Sequence, residues 1–111
     1  MEENKTAMGI SQNLEALLCY SLGWITGIIF LIVEKENKFV RFHAMQSIAT
    51  FLPIFIAATI VNILPILGQL IALLLAVFSM VLWIVLMYEA YKGNKFKLPY
   101  SGDFAEKQIG I

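Results

Sequence analysis

The chain has 111 residues, of which 59% are hydrophobic and 14% charged, with eight basic and eight acidic side chains. A soluble domain carries about 25% charged residues, and so short a chain has too little interior to hide this much apolar surface. Part of its solvent is therefore lipid, and zero net charge provides no field for nucleic acid or an acidic partner.

The N-terminal run MEENKTAMGISQN is acidic and polar, and the apolar run after it is long for a signal-peptide core, so no cleavable leader is expected. Residues 16–33 then pass without a charge. At ~1.5 Å per residue such a helix reaches roughly across a hydrocarbon core, which predicts a first spanning helix over about 14–34. Cys19, Gly23 and Gly27 form its small-residue ridge, for packing within the chain or against a second copy. Cys19, the single cysteine, reads as a packing residue.

A loop carrying Glu34, Lys35, Lys38 and Arg41 follows, and then residues 42–88 contain no Asp, Glu, Lys or Arg. That block is about twice the length one span needs. Pro65 biases Leu64 away from the helical region and itself suits a helix start, so the block divides into helices of about 42–63 and 66–89. Pro53 should kink the first of these. Ala49 and Ala57 on one helix, and Gly68, Ala72 and Ala76 on the next, supply further packing ridges. Ser79 and Thr26 are expected to bond to their own helix backbone. Tyr88, Tyr91, Phe39, Phe42 and Phe96 read as an aromatic belt. Residues 90–111 read as a polar tail.

The fold class is thus an all-α membrane protein, one domain built as a three-helix transmembrane bundle. Seven of the eight Lys and Arg fall in the first loop and the tail. With three spans this places the N-terminus outside and the C-terminus in the cytoplasm. Lys35, Lys38, Lys92, Lys95 and Lys97 are candidates for anionic headgroup contacts on that inner face.

Polar side chains inside the spans are costly and therefore informative. From His43, the only histidine, helical steps bring Gln46, Ser47 and Thr50 onto one stripe. Glu34, Arg41, His43 and Glu89 share a level, so a carboxylate could hold Arg41 or keep His43 protonated. The stripe either ties the helix ends together or lines a proton or ion path. No nucleophile–base set, paired metal ligands or phosphate loop is present, so no enzyme activity, metal or cofactor is expected.

The run EKENKFVRFHAMQSI, residues 34–48, resembles the signature of a family of small prokaryotic membrane proteins of unknown function, related to the plastid import component Tic twenty. The tail AYKGNKFKLPYSGDFAEK, residues 90–107, is similar to that family's ending. The resemblance implies a multipass protein of a prokaryotic plasma membrane, with Arg41, His43 and Gln46 as signature residues. The expected function is a structural or accessory membrane protein or homo-oligomeric assembly partner. The alternative that the resemblance adds is a subunit of an oligomeric channel or translocation component.

Overall fold

The computed structural model describes residues 6, 7 and 9–110. It is all-helical, with α1 (Gln12–Ser21), α2 (Trp24–Val33), α3 (Lys38–Val61), α4 (Ile66–Tyr91) and α5 (Ser101–Ile109).

The expected helix over 14–34 is two helices. The break is at Gly23, whose φ of 65° and ψ of −138° suit glycine and strain other residues. The chain reverses there. Asn37 Nδ2 donates to Gln12 Oε1 at 3.0 Å, so the start of α1 lies beside the start of α3. Two ten-residue helices, each about 15 Å long, thus form an antiparallel hairpin with both ends at one end of the molecule. Neither is long enough to cross a bilayer. The single 14–34 helix is corrected by this reversal, which brings its two ends together.

A break within an apolar run frees backbone carbonyls that need partners, and the protein satisfies them itself. The Thr26 hydroxyl donates to Cys19 O and Gly23 O. Trp83 Nε1 donates to Tyr20 O at 2.6 Å, and Ser47 Oγ donates to Gly23 O at 2.9 Å. Thr26 therefore bonds backward across the turn as well as within its own helix.

α3 starts at Asn37, whose side chain caps Val40 N at 3.0 Å, which is earlier than the expected residue 42. Pro53 sits inside α3 without ending it. Asn62 bonds back to Ala58 O at the α3–α4 turn. A Cβ on Gly68 would run into Val61 O, so this turn needs glycine for close approach. Among the described residues, α3 and α4 are the helices long and apolar enough to cross a membrane. Their outer halves stand alone, with Phe55, Ile60, Leu67, Leu70, Leu74 and Val77 exposed. The molecule is accordingly elongated, 53 Å by 23 Å by 23 Å.

The other half is compact. Ala16, Tyr20, Phe51, Leu86 and Ala90 form one core, and Cys19, Phe30, Val40 and Ala44 a second. α2 crosses α3 closely, since a Cβ on Gly27 would lie 2.8 Å from Ala44 O. Gly27 and buried Cys19 therefore pack within the chain, and Gly23 makes the turn. Ala49, Ala57 and Ala72 are half-buried, whereas Ala76 is exposed at the edge of a shallow dent formed with Phe51, Ser79, Met80 and Trp83. Ala76 does not extend an interior ridge. Ser79 does not bond to its own helix, and among the described residues its buried hydroxyl has no partner.

The tail is ordered too. α4 closes with Gly93 at φ 85°, Gly93 N donating to Ala90 O and Asn94 N to Glu89 O, the Schellman pattern. The chain then doubles back along α3. At Tyr100 it reverses again with φ 65° and ψ −65°, and Ser101 N donates to Pro99 O at 2.7 Å. This is a γ-turn of the rare, strained kind. α5 runs from there along α3 until Lys38 Nζ meets Ile109 O at 3.0 Å. The featureless polar tail is thus corrected to a strand-like strap followed by a short amphipathic helix.

Candidate functional site

His43, Gln46, Ser47 and Thr50 lie along α3, and all four side chains are buried. Helical periodicity puts them on one face of α3, and the α1–α2 hairpin and the tail strap close over that face. The centre of the network is Tyr20, fully buried and not singled out by the sequence.

Hydrogen-bond roles follow from one acceptor. His43 Nε2 lies 3.1 Å from Asn94 O, and a carbonyl only accepts, so Nε2 carries the proton. Nδ1 is then the acceptor for the Tyr20 hydroxyl at 2.7 Å. The Tyr20 oxygen in turn accepts from Gln46 Nε2 at 2.9 Å. Gln46 uses the rest of its amide on the strap. Its Nε2 donates to Phe96 O at 2.9 Å and its Oε1 accepts from Leu98 N at 2.8 Å. Ser47 bonds to Gly23 O, and Thr50 Oγ1 donates to Ser101 Oγ at 2.9 Å. Both imidazole nitrogens are satisfied in the neutral ring, packed edge-on by Phe39, Phe42 and Tyr20. Neither Glu34 nor Glu89 is a partner of the ring, so the arrangement in which a carboxylate could keep His43 protonated does not form.

Nor do the four expected charged groups converge. Arg41 Nη1 donates at 2.8 Å to the backbone oxygens of Leu31 and Glu34, so it closes the C-terminus of α2 rather than pairing with the Glu34 or Glu89 carboxylate. The Glu34 carboxylate accepts from Ala7 N at 2.6 Å. Glu89 accepts from Asn94 Nδ2 at 2.7 Å, beside the Schellman turn. Glu15, another side chain without a sequence signal, is buried in the interior near Glu34, and among the described residues neither of its carboxyl oxygens has a geometrically formed hydrogen bond. Helix 14–34 would have put Glu15 and Glu34 at opposite ends, so only the reversal reveals their proximity.

Two of the headgroup lysines are occupied. Lys95 pairs with Glu106 at 2.7 Å and Lys97 with Glu106 and Asp103 at 3.0 and 3.1 Å. Lys38 reaches Ile109 O, and Lys92 lies over the Tyr88 ring. Lys35 is exposed beside a pocket that also takes in Thr6, Gln12, Glu34 and Asn37. Tyr88, Tyr91 and Phe96 are exposed as a belt requires, whereas Phe42 is fully buried. Among the described residues, no three His, Cys, Asp or Glu side chains converge as a metal-holding group.

The family model described as magnetosome magnetite crystal formation protein matches residues 2–105. Two UPF0132 membrane proteins of Methanocaldococcus jannaschii are similar over most of this chain. One is 50% identical, covering 93% of each sequence. The other is 48% identical, covering 91% of this chain and 72% of its own length. A UPF0132 membrane protein of Archaeoglobus fulgidus is 43% identical, covering 91% of this chain and 98% of its own. No solved structure matches.

Proposed function

We propose, from the premise that this chain belongs to the magnetosome magnetite crystal formation protein family together with the archaeal UPF0132 membrane proteins, that it is a sealed structural or assembly unit of the membrane. It is a small membrane protein whose relatives are uncharacterised. The single observation behind the reading is that every polar side chain of the His43–Thr50 stripe is consumed inside the fold, on the hairpin, on the strap or on α5. A water-filled path would leave those groups facing an axis. Here they do what irregular backbone at membrane depth requires, supplying the partners that lipid cannot. Arg41, His43 and Gln46, the residues that suggest kinship with the plastid import component, all have such backbone duties. Nothing in their geometry calls for conduction.

The topology that goes with this reading has two spans, α3 and α4, and a re-entrant α1–α2 hairpin. Both ends of the described chain then share the face carrying the basic loop and tail, which by the lysine and arginine bias is the cytoplasmic side of a prokaryotic plasma membrane. Lys5, part of that bias, lies outside the described residues. Lys35 and Lys92 remain the side chains suited to anionic headgroups there. The bare outer halves of α3 and α4 meet lipid or neighbouring helices.

Flux through proteoliposomes holding the purified protein tests the reading. No proton, ion or peptide flux above empty vesicles is expected from the wild type, whatever its oligomeric state. Flux that disappears in His43→Ala or Gln46→Ala would establish the channel alternative instead.

A further inference from the structure

The tail carries two features that the sealed unit does not need. α5 packs on α3 and on no other helix to a comparable extent, so its docking surface is a single face that any copy of α3 presents. It is also joined to the rest of the chain through the turn at Tyr100. That residue holds a positive φ of 65° without being glycine, and its ring is 90% exposed, packed against nothing that would explain the conformation. Short connections under strain favour the exchange of the element beyond them, because opening the turn releases strain while every docking contact is remade on a neighbour.

The contacts of α5 are all of a kind that can be supplied by another copy. Ser101 meets Thr50, Ile109 O meets Lys38, and Asp103 and Glu106 meet Lys97 and Lys95. Gly102 fits closely against Gln46, where a Cβ would lie 2.8 Å from Oε1. Residues 94–98 can stay on their own α3, held by His43 and Gln46, while α5 crosses over. Exchange between two copies then gives a closed, two-fold arrangement in which each donates one helix and receives one.

We propose that α5 is an exchangeable arm, and that the face of α3 from Lys38 to Thr50 is the docking surface for α5 of a second copy of this chain. This names the partner for the assembly role proposed above and rests on that reading. The strained turn at Tyr100 is the hinge, and the pairs Thr50–Ser101 and Lys38–Ile109 mark the two ends of the exchanged interface.

Cysteine crosslinking in native membranes tests it. Full-length Cys19→Ala chains carrying either Thr50→Cys or Ser101→Cys are co-expressed and oxidised. A covalent dimer containing one of each is expected, and Tyr100→Gly, which relaxes the hinge, is expected to lower its yield severalfold. The double variant Thr50→Cys/Ser101→Cys reports the docked helix whichever copy supplies it. A crosslink confined to single chains of the double variant, with no mixed dimer, would overturn the exchange and leave the sealed unit standing. No crosslink in either experiment would overturn the docked α5, and with it both the exchange and the Thr50 end of the sealed stripe. An equal yield when Ser101→Cys is replaced by Ile63→Cys, at the far end of the molecule, would show collision and also overturn the exchange.

Discussion

Tyr20 and Gln46 show how much one buried polar side chain can hold when its neighbours are irregular backbone. The Tyr20 hydroxyl donates to His43 and accepts from Gln46, and Gln46 grips the strap on both sides of Lys97. Tyr20→Phe keeps the ring and leaves His43 Nδ1 without its donor. Orphaning a buried polar group costs about 1–3 kcal/mol, so a loss of that size is expected in denaturant unfolding of the detergent-solubilised protein. Gln46→Leu removes both strap bonds. Protease cleavage within residues 94–100 should then accelerate well before the helices of the core open. His43, Gln46, Ser47 and Thr50 were legible as one stripe because helical spacing in an uncharged block is a local property. Their partners were not, since Asn94, Phe96, Leu98 and Gly23 contribute backbone atoms that carry no residue-specific signal.

At the scale of elements, the first hairpin and α5 decide the architecture. Gly23 combines φ 65° with ψ −138°, a conformation open essentially to glycine alone, and Gly23→Ala is expected to cost about 1–3 kcal/mol. Gly27→Leu should cost at least as much by overpacking the α2–α3 crossing, and thermal unfolding of the two variants checks both. GWITG invites reading as a GxxxG ridge in a continuous helix, and 18 uncharged residues fit a span. A glycine with positive φ and a ridge glycine are the same letter, and only the tertiary contacts of each distinguish them. α5 is expected to respond to pH through Glu106, whose carboxyl the Lys95 and Lys97 ammonium groups hold below the usual carboxylate range. A carboxyl depressed in the docked state favours docking above its ordinary value, and that contribution is lost as pH falls through the docked value. Spin labels at Glu36 and Gln108 should give a narrow distance distribution near pH 7 that broadens in acid, whereas Glu106→Gln should broaden it at both.

For the whole molecule, topology is the testable quantity. With two spans and a re-entrant hairpin, cysteines placed at Ser11, Glu36 and Lys107 in a Cys19→Ala background should all react with an impermeant thiol reagent from the cytoplasmic side. One at Ile63 should react from the opposite side. Reaction of the Ser11 position with Ile63 rather than with Glu36 would restore three spans. Composition and the absence of charge over residues 42–88 determined, without any structure, that the chain lives in lipid, that it is helical and that its long hairpin turns near Pro65. These follow from sums over many residues, each contributing its transfer energy independently of where the others sit. Whether residues 14–34 cross or return, and whether the tail hangs free or straps α3, was decided only by tertiary structure. Both choices depend on a few hydrogen bonds between segments distant in sequence. In lipid, the conformation that satisfies a broken backbone prevails, and Thr26, Trp83 and the α3 stripe are positioned to do so only once the chain has folded.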